Sequence, residues 1–376
     1  VCLGQCSLLV EEDRRFTAEI WHLPEQSLNA DSGDGAVSMF RQMAEGKIKA
    51  CWIICSNPVA SMADRRHVIR GLQQAELVIT QDAFFETETN RYADIMLPGA
   101  LWAEGEGVMI NSERNVTLMQ QAVSPPQDAL PDWQIIAAIA CEMGYQQDFT
   151  YRSAEQVFQE LQQFNNPKTG YDLRGITYPR LRENSIQWPS APEDTQSRHP
   201  IRYRDNQNAP ALTTCLPELY FPTPTGKACF ICCAESGDAE LADEDYPFIL
   251  NTGRLQHQWH TMTKTGRIPA LNRLNPEPFL EVHPDDAAQL NITTGQQVEL
   301  RSRQGTARLP ARLSDRVLPG HCFAPFHWAD LYAGHCEINA LTNDKTDPVS
   351  LQPALKQCAV SLTPIINQHA ASDNDQ

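Results

Sequence analysis

The chain has 376 residues, 41% hydrophobic and 20% charged, with a formal net charge of -17 at pH 7. That length accommodates two or three domains with sizeable cores, and the acidic balance argues against general binding to a nucleic-acid backbone, which needs excess Lys and Arg. No apolar run approaches the ~18–20 residues of a membrane helix, and no charged region with a cleavage pattern opens the chain; neither nucleic acid nor membrane is expected as a partner, and a cytoplasmic location is the default.

The first ~145 residues alternate strand and helix signals. "IKACWIIC" (Ile48–Cys55) is a nearly continuous apolar run, the pattern of a strand buried on both faces. It ends in the turn signal Ser56-Asn57-Pro58. "ADRRHVIRGLQQAE" (Ala63–Glu76) has Val68, Leu72 and Ala75 near helical spacing, and "LVITQD" (Leu77–Asp82) is a second apolar strand. Together they predict a β-α-β unit with parallel strands. A third short strand, "ADIMLPG", follows, and "DWQIIAAIACEMG" (Asp132–Gly144) predicts a helix whose Gly144 stands at a C-terminal cap. Ligands of open α/β sheets bind outside the carboxyl ends of the strands. Here those ends are "SNPVAS" and "TQDAFFETETNR", both rich in short polar side chains. No GxGxxG accompanies them, so the nicotinamide-type fingerprint is missing.

From about Asp148 to Asp245 the pattern loosens. One amphipathic helix, "AEQVFQELQQF", precedes a Pro-, Asn- and Arg-rich stretch of a length unusual inside a compact domain. "YFPTPTGKACFICC" (Tyr220–Cys233) reads as a turn leading into a strand. The last ~130 residues change character: "YPFILNTG", "FLEVHP", "QQVELRSRQGTARLPARL", "GHCFAPFHW" and "CAVSLTPI" are short strands between Gly, Pro and Asp turns. With one short helix starting at Pro284, they predict a closed barrel of six or seven strands. The polar tail from 367 to 376 is expected to be disordered.

Twelve cysteines raise a metal or disulfide reading. Cys51 and Cys55 lie in an apolar run and suit small buried hydrophobes. The cluster Cys229, Cys232 and Cys233 has no second ligand pair at zinc-finger spacing. Reduced thiols are expected, and no metal ligand is assigned. "NTGRLQHQWHTMTKTGR" (Asn251–Arg267) concentrates a Thr-Gly-Arg turn, two histidines, a tryptophan and four threonines in one connection. Composition alone leaves open a histidine-rich metal loop, a packed loop or a ligand cradle.

"LVITQDAFFETETNRYADIMLPGALWAEGEGVMINSERNVTL" resembles the third domain of the molybdopterin oxidoreductases, the dimethyl-sulfoxide-reductase family. "TGRLQHQWHTMTKTGR" followed by "NPEPFLEVHPDDAAQL" resembles that family's C-terminal barrel, and the likeness is greatest to the C-terminal part of cytoplasmic assimilatory nitrate reductases. The resemblance runs, with gaps, from about residue 37 to 364.

It implies a partial Rossmann-like α/β domain over 1–147 and a segment over 148–244 that returns to a domain outside the chain. A double-psi-type β-barrel over 245–366 would bind molybdopterin dinucleotide. The implied cofactor is molybdenum-bis(molybdopterin guanine dinucleotide), with a [4Fe–4S] cluster in an N-terminal part not contained here. The implied cofactor contacts are Asn57, Gln81, Asp82 and Asp132 for a guanine nucleotide, and the loop Thr252, Gly253, Arg254, Leu255, Gln256, His257, Gln258, Trp259, His260 and Thr261 for the other dinucleotide. Phe326, Asn339 and Lys356 would complete the barrel's side of the pocket. Backbone amides and threonine hydroxyls of the loop suit pyrophosphate oxygens, and Arg254 adds a charge-assisted bond.

The implied reaction is reduction of nitrate to nitrite, with ferredoxin, flavodoxin or an NADH-dependent flavoprotein as electron donor. No catalytic residue is assigned, because the side chain that ligates molybdenum is expected outside the chain. A formate dehydrogenase alpha subunit, or a fragment or binding module without catalysis of its own, is the alternative. Two positions depart from the family pattern: Gly105 stands where many relatives carry Lys, and Asn115 replaces the second Arg of "NSERR".

Overall fold

The computed structural model describes residues 3–24, 26–31, 33–203, 219–232, 240–348 and 350–366. The expected tail from 367 to 376 lies outside them, as do Cys2 and Cys233. In chain order the strands are β1 (Ala50–Ile54), β2 (Leu77–Asp82), β3 (Ile95–Pro98), β4 (Gly107–Ile110), β5 (Asn115–Met119), β6 (Ile186–Gln187), β7 (Phe248–Gly253), β8 (Leu280–Val282), β9 (Gln297–Arg301), β10 (Thr306–Leu313), β11 (His321–Pro325) and β12 (Cys358–Pro364). The chain forms two compact units: Val1–Gly33 with Gly99–Ala234, and Asp34–Pro98 with Glu235–Gln376.

In the first unit β4, β5 and β6 form an antiparallel sheet, with Val116 of β5 opposite Ile186 of β6. Val116, Phe158, Leu173, Ile176, Tyr178, Leu181, Ile186 and Trp188 make its core. Phe158 comes from the helix Ala154–Gln162, whose first turn is capped by Ser153 accepting from the Gln156 amide. The stretch that reads as an irregular connection thus contributes most of this core. Its prolines and arginines obscure the pattern, but Arg114 donates to the His199 carbonyl at 2.7 Å, and Arg202 lies 4.6 Å from the Trp188 ring centre. The expected strand near Cys229 does not form within the described residues. Phe230 and Ile231 are exposed there, at 100% and 84%, and no neighbouring strand supplies ladder partners. Asp132 is the first residue of the helix Asp132–Ala140, and Gly144 adopts the left-handed φ of 98° expected of a cap.

In the second unit β1, β2 and β3 pair in parallel, in the order β1-β2-β3, as the alternation of strand and helix predicts. Their burial departs from the expectation. Only Ile53 of β1 is fully buried among its apolar residues, and Ile95 and Met96 of β3 are exposed. Both are edge strands of a three-stranded sheet, so an apolar run marks one covered face here rather than two. The helix Arg65–Gln74 covers that face through Val68 and Leu72. Gly71 lies on the same helix because the helix Gly35–Ala44 crosses there: a Cβ on Gly71 would stand 2.7 Å from the Phe40 carbonyl oxygen.

Six strands close the barrel in the order β10-β8-β11-β7-β12-β9. Leu250, Leu280, Val282, Val298, Leu300 and Leu309 fill its interior without measurable exposure. Cys322 and Cys358 share that interior as thiols, and burial pushes the Cys358 thiol up to about 12. No disulfide links the described cysteines. Beside the barrel, Glu337 accepts from the Asn339 amide and caps the short helix Ile338–Ala340. Its Oε2 is buried with no hydrogen-bond partner. Burial holds this carboxyl well above the usual range; the Arg65 guanidinium opposes the shift, and Glu88 and Asp330 reinforce it.

Two outcomes are expected. Gly71→Ala lowers stability by about 1–3 kcal/mol in guanidinium unfolding, because overpacking outweighs a helix-propensity gain of at most ~1 kcal/mol. Folding raises the pKa of Glu337, so its stabilising contribution is complete below the unfolded value and is lost as pH rises through the folded one. Glu337→Gln therefore flattens the corresponding part of the stability–pH profile and is more stable than the parent above that range.

Candidate functional site

β7 and β11 run parallel, with Thr252 opposite Ala324 and Gly253 opposite Pro325. Their C-terminal ends therefore emerge together. β12 is antiparallel to β7, so its leading residues reach the same end. This topology brings the loop that follows Gly253, Phe326 and Lys356 to one rim of the barrel. Lys356 Nζ donates to the Thr252 carbonyl at 2.6 Å, and Thr252 Oγ1 donates to the Leu355 carbonyl at 2.6 Å. Gly253 is required by close approach, since a Cβ would come within 2.8 Å of the Phe323 ring.

The loop is held from within. Gln258 is buried, donates to Asn272 Oδ1 and accepts from Thr265 Oγ1 at 2.7 Å. The Trp259 amide donates to Thr265 Oγ1, and the Tyr332 hydroxyl donates to the Met262 carbonyl. His257, His260 and Met262 all have left-handed backbone, at φ 84°, 37° and 60°. Arg254, Gln256, His257, Trp259 and His260 face outward. The Arg254 guanidinium lies 5.6 Å from the Trp259 ring centre, and His260 packs edge-on to Trp259. Beside Arg254 and Leu255 opens a cleft of about 510 Å³, bordered by Phe279, Phe323 and Arg316.

His327 is the residue the sequence reading did not single out. It is completely buried, its Nδ1 lies 2.7 Å from the His260 carbonyl oxygen, and its Nε2 accepts from the Leu255 amide at 2.7 Å. A carbonyl can only accept, so Nδ1 carries the proton. Burial holds its pKa below the ordinary histidine value; the bond to His260 opposes that shift, and the His260 and Arg254 charges add to it. Its only signal in the sequence is its place directly after Phe326 at a strand end.

At the end of the parallel sheet, Asn57 is engaged on both sides of its amide. Its Nδ2 donates to Glu88 at 2.7 Å, and its Oδ1 accepts from the Thr89 amide and hydroxyl. Glu88, itself buried, also accepts from the Leu331 amide after β11. Asn339 donates to the Ala60 carbonyl, one turn beyond Asn57. Gln81 is buried, and Asp82 accepts from the Phe84 amide at 3.0 Å. Arg267, at the far end of the barrel loop, lies 5.0 Å from the Phe84 ring centre and donates to the Glu86 carbonyl. The second unit thus gathers Asn57, Gln81, Asp82, the loop Thr252–Thr261, Phe326, Asn339 and Lys356 on connected segments. Asp132 belongs to the first unit.

The outward-facing set is two cations, Arg254 and Lys356, with imidazole, indole and amide groups on a shaped backbone. That donor-rich chemistry fits an anionic organic ligand. Elsewhere in this unit Asp64, His67 and Asp344 bring potential ligand atoms within 4.8 Å of one another. There, Arg41 pairs with Asp344, and His67 Nδ1 lies 2.8 Å from Asp64, so these groups are already engaged within the protein. No helix among the described residues is long and apolar enough to cross a membrane.

Residues 248–359 match the family described as "Molydopterin dinucleotide binding domain", and residues 12–142 match "Molybdopterin oxidoreductase". A nitrate reductase of Synechocystis is 36% identical over 363 residues, which cover 96% of this chain and 49% of the relative. A formate dehydrogenase subunit alpha of Methanocaldococcus jannaschii is 36% identical over 353 residues, 94% of this chain and 48% of the relative. The assimilatory nitrate reductase catalytic subunit of Bacillus subtilis is 32% identical, covering 96% of this chain and 48% of the relative. The chain spans about half the length of these curated relatives. The solved structure of acetylene hydratase from Pelobacter acetylenicus shares the fold, with a TM-score of 0.68 at 19% identity over 96% of this chain and 50% of that one. The closed barrel and these matches together establish that the chain belongs to the molybdopterin oxidoreductase family and carries its dinucleotide-binding domain.

Proposed function

We propose that this chain is the C-terminal, cofactor-holding part of a molybdenum-dependent nitrate reductase, with bis-molybdopterin guanine dinucleotide seated against the rim formed by β7, β11 and β12. The observation that carries this reading is the loop Thr252–Thr261: its backbone is fixed internally while Arg254, His257, Trp259 and His260 point outward. Arg254 would bind a pyrophosphate oxygen by a charge-assisted bond. Lys356, already bonded to the Thr252 carbonyl, adds positive charge at the same rim. His257 and His260 offer further ring nitrogens, and Phe326 an apolar wall.

Not every proposed contact acts through its side chain. Asn57 and Asn339 are committed within the protein, so their part would be to shape the strand end and offer backbone groups. Asp82 would accept from a ribose or guanine, and Asp132 from a guanine edge. In this reading the three-stranded sheet belongs to a Rossmann-like domain, and the barrel is of the double-psi type.

When bound, the molybdenum cofactor supplies the two-electron chemistry that reduces nitrate to nitrite. The residues of this chain would place and electrostatically tune it. Nitrate as substrate is supported by the "QWHTMTKTGR" motif and by the nitrate reductases among the relatives. A [4Fe–4S] cluster, the molybdenum ligand and the contact with a ferredoxin, flavodoxin or flavoprotein donor would lie outside this chain, in a cytoplasmic enzyme. The second reading, formate oxidation, rests on the equally similar Methanocaldococcus relative.

Steady-state assays of the full protein with nitrate plus a chemical reductant, and with formate plus an electron acceptor, separate these readings. Nitrate turnover without formate turnover is expected; the reverse result refutes the nitrate assignment. Arg254→Ala should lower the guanine nucleotide released from purified protein by about tenfold, the equivalent of a charge-assisted bond of roughly 1.5–3 kcal/mol partly replaced by water. Undiminished nucleotide would remove Arg254 from the site.

A further inference from the structure

A buried imidazole bridging two backbone groups of one surface loop has a consequence for how that loop keeps its shape. His327 follows β11, and the loop follows β7, its parallel neighbour. The ring's Nε2 accepts from Leu255, near the loop's start, and its Nδ1 donates to the carbonyl of His260, five residues on. We propose that His327 is a positioning residue, a neutral clamp that sets the outward presentation of Arg254 to Thr261 before any ligand arrives. The proposal rests on the reading of that loop as cofactor-binding and names what keeps it competent.

The geometry demands imidazole. One rigid ring must offer a donor and an acceptor on adjacent edges, which neutral histidine does and lysine, arginine or an aromatic hydrocarbon does not. The bond to the carbonyl restrains His260, a residue whose left-handed φ of 37° is strained for a non-glycine residue. Release of the carbonyl would let the chain relax and turn the His260 ring away from Trp259 and Phe326, which it now contacts.

Protonation breaks the clamp at one defined point. A proton on Nε2 makes it a donor facing the Leu255 amide, itself a donor, so one bond becomes a repulsion. The charged groups facing His327 are Arg254 and His260, and both disfavour a second positive charge. The folded pKa is depressed, so the clamp's contribution is complete above the unfolded histidine value. It is lost as pH falls below that value and through the folded one.

Three measurements on the full protein test this. Two-bond proton–nitrogen spectra of the histidine-labelled protein should show His327 as the neutral Nδ1–H tautomer at pH 7.5, and it should stay neutral to lower pH than a free histidine side chain. An imidazolium or the Nε2–H tautomer overturns the proposal. Amide exchange then reads each arm. His327→Gln, which can place an acceptor near the Nε2 position, should keep the Leu255 amide protected. His327→Asn, which can place a donor near the Nδ1 position, should lose that protection by at least tenfold while keeping the loop's far end resistant to proteolysis. His327→Phe should lose both. Loop protection in the Phe variant equal to the parent's overturns the clamp. Guanine nucleotide content separates the two readings. A fall of tenfold or more in the Phe variant, reproduced in the parent as pH drops, supports the clamp acting on the cofactor. An opened loop with undiminished nucleotide leaves the clamp standing and refutes the loop's cofactor role. If the Phe variant does not fold, the parent's tautomer and the Gln and Asn variants still decide the matter.

Discussion

Parallel pairing of β7 with β11 is the constraint from which the site follows. Two parallel neighbours must end on the same side, and a closed barrel prevents either from drifting to an edge. The loop after Gly253 and the Phe326–His327 pair are therefore delivered to one rim although more than seventy positions separate them in the chain. The antiparallel partner β12 then has to begin where β7 ends, which brings in Lys356. The apolar filling of the barrel, with Leu250, Leu280 and Leu300 wholly enclosed, makes that arrangement rigid.

Much of this was legible in the sequence, and what was not has physical causes. Strand β2 and its parallel partners follow from local alternation and a short crossover. The start of the helix at Pro284 follows from a proline that a first turn tolerates. Barrel closure was readable from the number and spacing of strands, but their spatial order was not, because register between distant strands is set by packing. That is why His327 escaped notice: its neighbour Phe326 came from the family resemblance, while the partners of its own ring come only from the fold. The core of the first unit was missed for a different reason. Phe158, Leu173, Ile176 and Trp188 are spread among prolines and charges, and no window of ordinary length shows a clean period.

The polar groups at the end of the parallel sheet brace the turns that follow its strands. Asn57, Glu88, Thr89 and the Leu331 amide form one continuous network, and Glu88 and Asn57 are both nearly inaccessible. Asn57 and Asn339, which the family resemblance implies as cofactor contacts, are engaged within the protein and hold the backbone around them. Buried polar networks of this kind are costly when half satisfied and rigid when complete.

The three left-handed residues of the barrel loop, His257, His260 and Met262, divide the thermodynamics of the protein in a particular way. Each conformation is disfavoured for a residue with a side chain, and the surrounding bonds hold it in place during folding. The ordering of the loop is therefore completed while the chain folds, and a ligand meets a surface with little conformational freedom left to lose. Glycine at any of these positions would relieve the local strain, yet it would return that freedom to the unbound state. Such a loop trades some stability of the protein for a surface whose shape is fixed in advance.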